Sequence, residues 1–219
     1  MKKIGLKKII MMIIIMLVVI LVSGCRSLGR GGAPGVVYQV DADTFVRLGE
    51  PDRNFGEESE VTVNNSGIYE NTRYVYLRFP LNKYRAGTVV ESVKLRINGW
   101  LTSNALGGDN VPVYLVYPLN NNTWNENEIT WNTRLESDTD TERLLGTWTE
   151  SVRGWTSAAK WYEIEGEELN KYVQEAIDAG QTFISFALYG DERPLGARFD
   201  MYAKENLERA PELVVNVKR

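Results

Sequence analysis

The stretch Arg73-Tyr74-Val75-Tyr76-Leu77-Arg78-Phe79 decides how this chain folds. Val75, Leu77 and Phe79 recur at every second position, with Tyr74, Tyr76 and Arg78 between them. A period of two is that of a half-buried strand, because successive side chains point to opposite sides of a pleated backbone. The pattern repeats outward from there. In Ser92 to Trp100, Val93, Leu95 and Ile97 face one way and Lys94, Arg96, Asn98 and Trp100 the other. Val111 to Tyr117, Trp161 to Glu165, Thr182 to Tyr189, Ala197 to Lys204 and Glu212 to Lys218 are further β-branched or aromatic runs, preceded by Val36 to Val40, Thr44 to Leu48 and Val61 to Val63. Turn-rich stretches separate them, such as Gly107-Gly108-Asp109-Asn110 and Gly190-Asp191-Glu192-Arg193-Pro194. Only 167–178 reads as helix: Leu169, Tyr172, Val173, Ala176 and Ile177 fall at helical spacing, Glu167 and Glu168 suit the first turn, and Gly180 follows as a stop. About ten strands, one short helix and no alternation of strands with helices predict an all-β fold, an antiparallel β-sandwich. No break in composition and no internal repeat divides residues 36–219.

Composition narrows the chemistry. The chain has 219 residues, 25 Lys and Arg, 29 Asp and Glu, one Cys and no His. Residues 1–24 hold four of the lysines, no acid and no aromatic residue, so the rest carries a net charge of −8 and every Trp, Tyr and Phe. An acidic domain lacks the basic footprint of non-specific nucleic-acid binding. Without His there is no imidazole base or ligand. Without a second Cys there is no internal disulfide.

The N-terminus has its own logic. Lys2, Lys3, Lys7 and Lys8 precede an apolar run from Ile9 to Val22, which ends in Ser23-Gly24-Cys25. A cationic start, an apolar stretch and small residues make a secretory signal. Val22-Ser23-Gly24-Cys25 resembles the lipobox of bacterial lipoproteins, in which the cysteine is acylated and becomes the new N-terminus. The alternative is an uncleaved anchor, because the run approaches the ~20 residues that span a bilayer. Both expectations place the domain outside the cytoplasm, tethered to the cell envelope through an N-terminal lipid or helix. Residues 1–24 then form the signal peptide, 25–35 the lipidated Cys25 and a Gly-rich flexible tether, and 36–219 the folded domain.

Several phrases carry a family resemblance. They are Ala42-Asp43-Thr44-Phe45-Val46-Arg47, Asn54-Phe55-Gly56, Tyr76-Leu77-Arg78-Phe79-Pro80-Leu81, Ser92-Val93-Lys94-Leu95-Arg96-Ile97 and Trp124-Asn125-Glu126-Asn127-Glu128-Ile129-Thr130-Trp131-Asn132. Trp161-Tyr162-Glu163-Ile164, Phe183 to Leu188, and Tyr202-Ala203-Lys204-Glu205 through Arg209-Ala210-Pro211-Glu212-Leu213-Val214-Val215 follow in order. Together, over about residues 38–217, they resemble the DNRLRE or disaggregatase-related domain, carbohydrate-binding module family 96. The resemblance implies a jelly-roll β-sandwich and binding of acidic polysaccharides such as alginate. Domains of this kind usually accompany a lyase or hydrolase, and this chain has no room for one.

The strand pattern nominates a site. If Val75, Leu77 and Phe79 point inward, then Tyr76 and Arg78 point outward, and the same parity exposes Lys94, Arg96, Tyr189, Arg198, Tyr202 and Lys204. Five cations and several rings on an acidic chain suit a uronate polymer, whose carboxylates pair with guanidinium and ammonium groups while its rings pack on aromatic faces. The competing expectation is that these residues lie on different sheets, paired with the abundant acids as surface ion pairs worth ~0–1 kcal/mol each. Trp124 and Trp131 read as residues that lock a loop to the sandwich, and Trp155 as a possible stacking platform. Asp41, Asp43, Asp109, Asp138, Asp140, Asp191 and Glu192 allow a structural Ca2+ without the spacing of a known calcium loop. For catalysis, Glu126 and Glu128 are the most tempting pair of acids, yet on an extended strand they point apart. The chain therefore reads as a non-catalytic polysaccharide-binding surface lipoprotein, with an adhesive β-sandwich for a protein partner as the alternative and a small lyase or hydrolase behind that.

Overall fold

In a computed structural model, which describes residues 35–65, 69–104, 111–150, 156–191 and 197–218, eleven strands pair antiparallel throughout. They are β1 (Val36–Gln39), β2 (Ala42–Arg47), β3 (Glu60–Asn65), β4 (Arg73–Pro80), β5 (Val90–Asn104), β6 (Val113–Leu119), β7 (Gly146–Thr149), β8 (Lys160–Ile164), β9 (Phe183–Gly190), β10 (Ala197–Tyr202) and β11 (Glu212–Val217). The α-helix α1 spans Glu167–Asp178, the range that the sequence predicts. The signal segment, Cys25 and the tether up to residue 34 lie outside the described residues, as do Asp109, Trp155 and Glu192.

The sheet is continuous but curls over into two layers. β4 pairs with β2 on one side and β9 on the other, with Val75 opposite both Phe45 and Leu188. β9 continues through β6 to β7. β3 and β4 share one partner pair, Asn64 with Arg73, and beyond this crease β3, β10, β5 and β8 follow. β11 lines up on the same edge of β5 as β10 and carries β1. Gly99 sits where β5 passes from β11 to β10: a Cβ there would lie 2.5 Å from the Asp200 carbonyl oxygen and 2.6 Å from the Phe199 ring.

The inward set is the one that the period of two selects. Val75, Leu77 and Phe79 meet Ile184, Phe186 and Leu188 from β9, Val93, Leu95, Ile97 and Leu101 from β5, and Phe199 and Met201 from β10. Tyr114 stacks on Trp148 at 4.8 Å, and both rings approach Phe199. Burying a side chain of this size stabilises by ~1.5–3 kcal/mol, so this core dominates the fold. α1 adds Leu169, Tyr172, Val173, Ala176 and Ile177 to it. Its Asn170 and Gln174 side chains accept the Val93 and Val90 backbone N–H groups at 2.7 Å each, which protects that edge of β5.

A second apolar cluster lies on the other side of β2, β4 and β9. Ala42, Val46, Tyr76 and Ala187 are covered by Leu119, Trp124, Ile129, Trp131 and Leu135. The cover is the long segment between β6 and β7, which includes the 3-10 turn Leu135–Asp138. Its Trp124 Nε1–H donates to the Ser185 hydroxyl at 3.1 Å, and Asn54 fastens it from below by donating to the Glu126 and Ile129 carbonyls.

Candidate functional site

The expected outward residues divide between two surfaces with opposite fates. On β4 and β9 the outward face is covered. Tyr76 is fully buried, which corrects its expected exposure: Trp124 lies against it, the rings 6.4 Å apart. Burial pushes its phenol far above the ordinary range, so the group stays neutral. Tyr189 is half-buried, stacks on Tyr74 at 4.2 Å and donates its hydroxyl to Thr139 at 3.1 Å; burial pushes its phenol up to about 12. Arg78 points the same way as Tyr76 but reaches the rim. Its Nε and Nη2 donate to one Asp41 carboxylate oxygen at 3.0 and 2.6 Å, its Nη1 donates to the Trp124 carbonyl at 2.5 Å, and its guanidinium lies over the Phe183 ring at 4.9 Å. This arginine holds the covering segment in place. Trp124 and Trp131 are likewise locked into the structure, each under a tenth exposed.

Lys204 belongs to the same joint. Its ammonium pairs with Glu126, which raises its pKa, and its backbone N–H donates to Asp43 at 2.7 Å. Glu126 also accepts the Asp43 backbone N–H at 3.0 Å and is only 9% exposed, whereas Glu128 is exposed and accepts from Asn125. The two glutamates sit in a turn rather than on a strand. One ties the covering segment to β2 and the other faces solvent, so they do not flank a common space. Asp41, Asp138 and Asp140 are engaged with Arg78, Asn121 and the Glu142 backbone N–H, respectively. Among the described residues no group of three acidic, His or Cys side chains is placed to hold a metal ion.

The outward face of the other layer keeps its rings. Parity along β5, β8 and β10 puts Lys94, Arg96, Asn98 and Trp100, then Trp161 and Glu163, then Arg198, Asp200 and Tyr202 on one side, opposite the buried core. The register sets Asn98 beside Trp161 and Trp100 beside Asp200, so Trp161, Trp100 and Tyr202 step across three adjacent strands. Trp100 and Tyr202 lie 5.1 Å apart, Arg96 covers the Trp161 ring at 4.6 Å, and Arg209 lies over the Tyr202 ring at 5.1 Å. All three rings are half-buried and none belongs to either apolar cluster. The sequence puts Trp100 on the face of Lys94 and Arg96 and Trp161 at the head of the run Trp161 to Glu165, but neither ring is among the expected site residues. Alternation carries the signal for Trp100, whereas only the pairing of Trp161 with Asn98 brings Trp161 to the same face.

The cations on this face are already paired. Lys94 bonds Glu163 and Glu165 at 2.8 and 2.7 Å, and the first of these hydrogen bonds is the main cause of its raised pKa. The same lysine holds the Glu163 carboxyl below its usual range. Arg96 spans Glu163 and Glu212 at 3.2 and 2.5 Å, and Arg198 bonds Asp200 at 2.8 Å. Lys94, Arg96 and Arg198 keep about a third of their side chains exposed (34, 28 and 38%). A face with three half-buried aromatic rings flanked by ion-paired cations can receive a sugar chain by stacking.

A two-layered antiparallel sheet that presents rings and hydrogen-bonding groups on one face has the makings of a carbohydrate-binding module. The family model of carbohydrate-binding module family 96 matches residues 35–217, and the chain belongs to that family. No curated protein matches it.

Proposed function

We propose that this protein is a non-catalytic surface lipoprotein that holds an acidic polysaccharide, of which alginate is the reference ligand, on the face built by Trp161, Trp100 and Tyr202. Family membership supplies the carbohydrate; one observation supports the place, namely three half-buried rings stepping across β8, β5 and β10 with Arg96 and Lys94 beside them. The ion pairs do not obstruct this reading. Exposed pairs contribute ~0–1 kcal/mol each, so a uronate carboxylate can replace Glu163, 42% exposed, at Arg96 at little cost. The non-catalytic reading rests on the chain's chemistry: it lacks His, and the tempting pair Glu126 and Glu128 is split between a structural joint and solvent.

Retention of the protein on an alginate gel tests the proposal. Trp161→Ala combined with Trp100→Ala should weaken retention about tenfold or more, since two stacking contacts of ~0.5–1.5 kcal/mol are removed. Arg96→Ala should weaken it less and should flatten its salt dependence, because screening acts over ~10 Å at 0.1 M. Undiminished retention of the tryptophan double variant would move the site elsewhere, and release of unsaturated or reducing sugar ends would show catalysis.

A further inference from the structure

A cleft of about 290 Å3 opens beside β10. Phe45 and Arg47 of β2, the loop from Glu50 to Ser59, Thr62 of β3, Arg73 of β4 and Arg198 of β10 line it. Its volume is at the small end of the ~300–1,000 Å3 typical of small-molecule sites. Four guanidinium groups converge there, and they are not equally satisfied. Arg47 and Arg53 share Glu50 at 2.5 and 2.9 Å, Arg53 also bonds Glu58 at 2.8 Å, and Arg198 bonds Asp200. Arg73 is only 9% exposed, and among the described residues no carboxylate forms an ion pair with it. Burial, then the neighbouring Arg198 and Arg47, pull its pKa down to about 10. The Arg47 Nε–H, closed off from solvent, has no hydrogen-bond partner. A largely buried cation crowded by cations at the wall of a cleft is stabilised by an incoming anion.

We propose that this cleft is a binding site for the carboxylate of a single sugar-acid residue, held by Arg73. The assignment rests on the polysaccharide reading and deepens it, because Arg198 belongs both to the cleft and to the ring-bearing face: a chain lying across Trp100 and Tyr202 passes the cleft mouth. Planar guanidinium groups match carboxylate geometry, and the buried Phe45 and Phe55 rings, stacked at 4.2 Å, form the apolar floor under them. Glu58 and Glu60, also in the lining, exclude a ligand carrying several charges and favour one carboxylate per site.

Equilibrium dialysis of radiolabelled glucuronate against the full-length protein in neutral detergent tests this. Saturable binding is expected that excess glucose does not displace, and Arg73→Gln should weaken it about tenfold or more, the loss of a charge-assisted contact. Should that variant fail to fold, Ser59→Phe, which fills the exposed mouth without removing a charge, should abolish binding with the melting temperature kept. No saturable binding, equal displacement by glucose, or equal displacement by inorganic sulfate overturns the assignment; the last would make the cleft a general anion hole. Silence in this assay with alginate retention intact removes the cleft alone, whereas loss of alginate retention in the tryptophan variant bears on the face and leaves the cleft standing.

Discussion

Asp43 shows how far a single carboxyl group can be drawn from its ordinary state. It is 1% exposed on β2, and burial pushes its pKa from 3.8 up to about 7, against the lowering effect of the Lys204 N–H bond. Between those two values the unfolded chain has lost the proton while the native one keeps it, so stability falls as pH rises through that window and levels off above about pH 7. The penalty reaches up to about 4 kcal/mol. The Asp43→Asn variant should therefore match the wild type near pH 4 and exceed it in urea stability at pH 8, with the gap opening between; a gap that does not change with pH would refute this. Tyr76 makes a complementary case. Its hydroxyl is buried with no hydrogen bond of good geometry, lying by Tyr189 and the Leu135 backbone, so Tyr76→Phe should cost no more than about 1.5 kcal/mol, while Tyr76→Ala should cost ~3–5 kcal/mol in urea denaturation. Comparable costs for both would mean that the hydroxyl matters. The alternation around Tyr76 correctly separates Val75, Leu77 and Phe79 from their neighbours. It cannot show that the second face is covered as well, because the cover is a polar segment opening on Asn120-Asn121-Asn122, whose buried Trp124, Ile129, Trp131 and Leu135 follow no strand or helix period.

At the scale of elements, β5 has fifteen residues and serves both β11 and β10 along one edge. The change of partner happens at Gly99, against the Asp200 carbonyl and the Phe199 ring, where no side chain fits. Gly99→Ala should destabilise by ~1–3 kcal/mol, the usual cost of overpacking, and should do so without affecting α1; an unchanged urea midpoint would show that β10 yields freely. The sequence shows the strand from Ser92 through Trp100 but not its continuation to Asn104, because Thr102-Ser103-Asn104 has turn-like composition and leads into the Gly107-Gly108 stretch. α1 is legible to the residue because its apolar spacing and its terminating Gly180, at φ 66°, are local features. β7 is missed: Gly146-Thr147-Trp148-Thr149 is short, and only the packing of Trp148 on Tyr114 makes it a strand. The site shows the same division. Parity places Lys94, Arg96, Arg198 and Tyr202 on one face, while the covering of Tyr76 and Tyr189 and the grouping of Arg47, Arg73 and Arg198 depend on contacts between residues far apart in the chain.

For the whole molecule, the proposed anchor makes a prediction of its own. If Cys25 is acylated, metabolic labelling with a fatty-acid analogue should mark the wild type and not the Cys25→Ser variant; equal labelling of both would end the lipoprotein reading. The sandwich itself adds a geometric condition to any attachment. β1 and β11 are antiparallel neighbours, with Val36 opposite Val215, so the polypeptide enters the fold and leaves it at almost the same point, one strand spacing of ~4.8 Å apart. A body with adjacent entrance and exit hangs from its backbone like a pendant and is not threaded like a bead. Spliced into a longer polypeptide, it adds bulk and grip while leaving the contour length of its host almost unchanged.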